Sequence, residues 1–148
     1  VTLPDVDFIV ATVSGAGIAG NVEAPIIGHM NAMTAQLKFR TFSAESLKLQ
    51  EPREHTIDLR APQQVYDPIA GVYKTQSVKH VLVLVPKTLS NGNVAPASPT
   101  DGSGSYAVRR WVTYIDDAKV MELDPYNYIC EVNGVDYLSD TRKALGKS

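Results

Sequence analysis

The chain has 148 residues, 44% of them hydrophobic and 20% charged, with a formal net charge of −2. That balance excludes a disordered chain and suits one domain over 1–148 with a real core, while the charge gives no whole-chain pull toward nucleic acid or an anionic membrane. The lone cysteine, Cys130, cannot close an internal disulfide, so a reducing cytoplasm is the expected place of assembly. The longest apolar run, Val81 to Val85, has the length of a buried strand, so no membrane-spanning segment is expected.

Taken in order, the elements are mostly strands. Val6, Phe8 and Val10 alternate with Asp5, Asp7 and Ile9, which predicts a first strand. Gln36 to Phe42 alternates cleanly, with Leu37, Phe39 and Thr41 on one face and Lys38 and Arg40 on the other. Ser43 to Leu49 reads as a short helix with an N-cap serine, Ser46 at N3 and a stop at Pro52; Phe42 and Leu47 would form its hydrophobic staple. Thr56 to Arg60 is a further strand. Val78 to Val85 is almost wholly aliphatic, so it should be covered on both faces and end at Pro86.

Ser90 to Ser105, rich in Gly, Pro, Ser and Asn, reads as a solvent- or partner-facing insertion. Ala107 to Ile115 predicts a long strand with Val108, Arg110, Val112 and Tyr114 on one side. Asp116-Asp117-Ala118 turns it into Lys119 to Leu123, and Tyr126 to Val132 closes the set. Val132-Asn133-Gly134-Val135 carries a strong signal for a type I′ turn. A closing helix over Asp136 to Leu145 should pack Leu138, Thr141 and Leu145 inward, with Gly146 as its stop. The fold class is therefore mainly β, a small barrel or sandwich with a short helix and a C-terminal helix.

Motifs for chemistry are weak. His29, His55 and His80 lack metal-ligand spacing, and Asp116/Asp117 is better explained as a turn than as an acid–base pair. Cys130 reads as a buried inert thiol. No catalytic, metal or cofactor-binding residue is expected, and the chain is not expected to be an enzyme. Gly15-x-Gly17-x-x-Gly20 spells a dinucleotide fingerprint, but Pro25 and its neighbours cannot carry the helix that motif needs, and basic residues stand where the acid should be. The run Ser14-Gly15-Ala16-Gly17-Ile18-Ala19-Gly20 is better read as a flexible loop. It either lets backbones approach closely or orders against a neighbouring subunit.

That loop, together with Leu3-Pro-Asp5, Ile27-Gly-His29, Leu37-Lys-Phe-Arg-Thr41, Asp58-Leu-Arg-Ala61 and Tyr66-Asp67, occurs in order ahead of Asn127-Tyr-Ile-Cys-Glu-Val-Asn-Gly-Val-Asp-Tyr-Leu-Ser-Asp-Thr-Arg-Lys-Ala-Leu-Gly146. The whole resembles the major tail tube proteins of contractile-tailed phages and R-type bacteriocins. The family usually has a further strand ahead of the Leu-Pro motif; either residues precede Val1 or this protein begins late.

The resemblance implies a tail-tube fold and a structural protomer. Six copies would form a ring, and rings would stack into a hollow helical tube inside a contractile sheath, a conduit for DNA delivery or membrane puncture. The implied partners are other copies of the chain, the tail sheath protein, the tape measure protein or DNA in the lumen, and the baseplate and tail terminator at the ends. The implied place is the virion tail or a bacteriocin particle, assembled in the host bacterial cytoplasm. A secretion-type tube and a monomeric ligand-binding β-barrel are the alternatives. On this reading Ser14 to Gly20, Lys38, Arg40 and Arg60 should lie at inter-subunit or inter-ring contacts, because cations lining the bore would hold DNA phosphates. Asp140, Arg142 and Lys143 should face the sheath.

Overall fold

The computed structural model describes residues 1–41 and 43–147. It is mainly β, 56% strand and 8% helix. Strands β1 (Phe8–Val13) and β2 (Val22–Met30) form a two-stranded ribbon by themselves. The other strands are β3 (Met33–Phe39), β4 (His55–Asp67), β5 (Val72–Ser90), β6 (Gly102–Ile115), β7 (Ala118–Asp124), β8 (Ile129–Val132) and β9 (Val135–Asp136). They make one antiparallel sheet in the order β4-β5-β6-β7-β8-β9, with β3 also on β6. Among the described residues this path stays open, with no closed barrel.

The core lies on one face of that sheet. The register sets Leu82 beside Trp111, Trp111 beside Leu123 and Leu123 beside Cys130, and it sets Leu84 beside Val108 and Val108 beside Met33. All of these side chains are buried. Leu3, Val6, Leu49 and Leu138 pack over them from segments outside the sheet. Burial of this apolar area is the main stabilising contribution.

Several boundaries differ from the sequence expectation. β5 does not stop at Pro86 but runs to Ser90. β4 ends opposite Leu84, so beyond that point β5 has β6 as its one neighbour, and the ladder slips between Pro86 and Thr88. A proline is tolerated at such an edge and bulge. Val78 to Val85 is not equally covered on both faces: Leu82 and Leu84 are fully buried, while Val81, Val83 and Val85 on the other face are half-buried.

The side shared by Val108, Arg110, Val112 and Tyr114 is also broken. Val83 pairs with Arg110 and Leu84 with Val108, which leaves Arg109 as an extra residue in β6. A one-residue bulge flips the faces, so Val108 joins Trp111 in the core while Arg110 points away. The same bulge marks where β6 exchanges one neighbour, β3, for another, β7. β2 was not expected; it carries Pro25 opposite Val10, which a ribbon made only of edge strands permits.

The turn chemistry holds as read. Asp116 and Asp117 have φ of 48° and 63°, and Asn133 and Gly134 have 52° and 81°, as type I′ turns require. Helix α1 (Ala44–Lys48) is capped by Ser43, whose hydroxyl accepts from Ser46 N–H at 3.2 Å while Ser46 Oγ accepts from Ser43 N–H at 3.0 Å. Ser46 thus completes a capping box in place of the usual glutamate. Phe42, and with it the staple to Leu47, falls outside the described residues. Strand β8, expected from Tyr126, begins at Ile129, since Asp124 Oδ1 accepts the Tyr126 and Asn127 N–H groups and makes the preceding stretch a turn.

Helix α2 is short, Ser139–Ala144. Asp136 is held in β9 against Glu131, so the helix cannot start there. Leu138 is buried as expected, but Thr141 and Leu145 are exposed, so the inward face consists of Leu138 alone among the three.

Candidate assembly surfaces

Two parts of the chain project from the packed sheet. The first is the β1–β2 arm. Every residue of β1 is exposed, and Val10 and Val22 keep about half their surface in water (51% and 52%). A two-stranded ribbon wetted on both faces is marginally stable without a partner. Ser14 to Gly20 form its tip, all exposed; Gly17 and Gly20 have φ of 93° and 125°, and a Cβ at either would meet only open space. The loop turns sharply through glycine geometry, and its hydrogen bonds are local, from Ile18 N–H to the Gly15 carbonyl at 3.2 Å and from Gly20 N–H to the Ile18 carbonyl at 3.0 Å.

The second projection is the far half of the β4–β5 hairpin, from Ala61 to Ser77. All but Asp67 and Gln76 are exposed there, with Ile69 at the tip 97% exposed. Its turn is well built: Asp67 Oδ1 accepts from Ile69 N–H at 3.0 Å and from Ala70 N–H at 3.3 Å, and Lys74 Nζ pairs with Asp67 Oδ2 at 2.7 Å. Tyr66 and Tyr73 face each other across the strands with ring centroids 5.2 Å apart.

Of the cations singled out in sequence, Lys38 is exposed opposite Ser103, Arg40 is exposed just past β3, and Arg60 is exposed in β4 opposite Lys79. None of the three belongs to an ion pair among the described residues. The structure does not bring them together as one cluster: Lys38 in β3 and Arg40 just past it lie at one edge of β6, while Arg60 in β4 lies two strands from β6 on its other side. At the C-terminus, Asp140 and Lys143 point into solvent. Arg142, expected outward, turns back instead: it pairs with Asp136 and donates to the Tyr128 carbonyl at 2.9 Å. Its guanidinium staples the last turn to the sheet because Asp136 offers a charged partner that solvent cannot match.

Sequence reading missed a buried charge cluster on the sheet face opposite the core. Glu122 is 6% exposed and accepts from Arg110 Nη2 at 2.6 Å and Lys119 Nζ at 2.8 Å. Burial pushes its carboxyl up, but the hydrogen bonds and charges of Lys119 and Arg110 outweigh this and hold it below the usual range. The signal was a Glu amid strand residues, hidden by the unrecognised bulge at Arg109. On the core face, Trp111 Nε1–H donates to His80 Nδ1 at 3.2 Å, with Thr113 Oγ1 3.0 Å from the same nitrogen, and burial lowers the His80 pKa. His55 is buried with Nε2 2.9 Å from the Glu51 carbonyl. Burial pushes the Cys130 thiol up, so it stays protonated. Among the described residues no three His, Cys, Asp or Glu side chains are grouped as a metal ion would need, and no helix is long and apolar enough to cross a membrane.

The family model described as phage tail tube protein FII matches residues 1–146. Comparison with curated proteins gives no match.

Proposed function

This chain belongs to the phage tail tube family and is a structural tail tube protomer, a virion tail component; from that premise we propose that six copies close into a ring and that rings stack into a hollow tube inside a contractile sheath. The observation that carries this is the β1–β2 arm. Its aliphatic residues stand in water on a ribbon too slight to be stable alone, which a neighbouring subunit would remedy. The half-covered row Val81, Val83 and Val85 and the outer edge of β4, unpaired among the described residues, point the same way, since cyclic assembly covers faces and pairs edges.

In this reading the Ser14–Gly20 loop makes inter-ring or inter-subunit contacts. Lys38, Arg40 and Arg60 sit at subunit contacts, where carboxylates neutralise them and the bore stays free of cations that would bind DNA. The exposed Asp140 and Lys143 of α2 face the sheath protein. Tape measure protein or DNA fills the lumen, and baseplate and terminator proteins close the ends. Assembly takes place in the host cytoplasm. A ligand-binding barrel would need a closed barrel, which the described strands do not form.

Negative-stain microscopy of the purified chain tests this: rings or tubes of uniform diameter are expected, and a strictly monomeric protein at high concentration overturns it. Gly17→Val sharpens the test. A β-branched residue at φ 93° is strained, but the site touches nothing in its own chain, so the variant should fold and fail to polymerise. Tubes of normal length from it would remove the loop from the contact.

A further inference from the structure

Charge is divided unevenly along this chain. Residues 1–37 hold three carboxylates, Asp5, Asp7 and Glu23, and no Lys or Arg; the first cation is Lys38. The whole β1–β2 arm is therefore acidic as well as apolar. Asp5 and Asp7 sit at its base, where the Asp7 carbonyl accepts from Asn31 N–H at 2.7 Å, and Glu23 stands opposite Thr12 further out. None of the three carboxylates has an ion-pair partner among the described residues.

The β4–β5 hairpin shows the opposite arrangement. Arg60 and Lys79 are directly opposite each other, and the unbroken register runs from them through Pro62/Ser77 and Gln64/Thr75 to Tyr66/Tyr73 on the same face. Like charges so placed repel, and neither cation has a carboxylate partner among the described residues; Lys79 Nζ rests 4.6 Å from the Tyr114 ring centre instead. Nearby carboxylates include Asp58, one step back along that face, and Asp116, whose Oδ1 accepts from Ser77 N–H at 3.0 Å. Two aromatic rings and two unneutralised cations thus line a strip about 20 Å long, similar in reach to the six residues of β1.

We propose that the β1–β2 arm of one copy lies along this strip on a neighbouring copy. Its carboxylates, Glu23 foremost, neutralise Arg60 and Lys79, and its exposed valines pack against Tyr66 and Tyr73. The proposal rests on the tube reading, because the occupant is a second copy of this chain. It identifies which surface receives the arm. It also gives Arg60 a specific partner and offsets the repulsion within that cross-strand pair.

Charge reversal with rescue tests it. One variant carries Asp5→Lys, Asp7→Lys and Glu23→Lys, a second carries Arg60→Glu and Lys79→Glu, and a third carries all five. Assembly is followed by sedimentation, and folding of each variant by circular dichroism and Trp111 fluorescence. Each partial reversal should raise the concentration needed for assembly about tenfold or more, and the combined variant should return to within about threefold of the parent chain. Partial variants that assemble like the parent, or a folded combined variant that does not recover, overturn the pairing while leaving the tube reading intact. A parent chain that never associates overturns the tube reading and removes the premise.

Discussion

Leu82 and Val10 are both aliphatic residues in antiparallel strands, yet Leu82 is fully buried while Val10 keeps 51% of its surface in water. The difference lies in what stands over each strand. β5 has neighbours on both sides along much of its length, and its inner face belongs to the core cluster against which Leu3, Val6, Leu49 and Leu138 pack. β1 has one neighbour and no cover. The sheet body therefore draws its stability from within the chain, and the arm must draw it from elsewhere. Both regions are strands of similar composition; only one is a core.

The largest effect that separates them is expected in the body. Leu84→Ala should cost about 2–5 kcal/mol, since the site is enclosed and cannot collapse around the lost methyls. Chemical denaturation measures it, and a cost below about 1 kcal/mol would mean the body is less closely packed than its burial indicates.

Acid should come next, and again act on the body. His80 has a folded pKa below its ordinary 6.5, so its contribution is complete above that value and is lost as pH falls through the depressed one. The Glu122 and Asp136 carboxyls are held below their ordinary 4.5 and 3.8; their contributions are present above those values and drain at still lower pH. Burial opposes the shift at Glu122, while at Asp136 the hydrogen bond from Arg142 is the main cause. Denaturation midpoints should decline in two stages on acidification, and Glu122→Gln should flatten the lower one. A flat profile down to acid would contradict both assignments.

The smallest effect on folding should come from the arm. Val22→Ser should change the stability of the isolated chain by no more than about 0.5 kcal/mol, because the side chain is already half in water. The same change should visibly weaken assembly. If it instead destabilised the monomer as a core substitution does, the arm would have to pack on its own body.

The readable parts of the fold were those in which a residue acts on its immediate neighbours. Asn133-Gly134 and Asp116-Asp117 set positive φ locally, Ser43 caps the helix beside it, and Gly146 at φ 69° stops the last one. The strands missed or cut short obey neighbours far away in sequence. Pro86 stays within β5 because β4 has already ended, and Pro25 is tolerated because β2 is an edge. The candidate surfaces divide likewise. The glycine loop was visible from composition, while the pairing of Arg60 with Lys79 depends on a register that begins at His55 and Leu84.

By itself the sequence determined the β class, the turns, the caps and, through its ordered motifs, the tail tube family, because each depends on residue type and short spacing. Tertiary structure alone decided which strand faces are buried. The bulge at Arg109 moves Val108 into the core and frees Arg110 to reach Glu122, and Asp136 draws Arg142 back from solvent. The physical reason is that a strand's alternation says only that two faces differ. Which one is covered, and whether any is, depends on the register with its neighbours and on what packs over them.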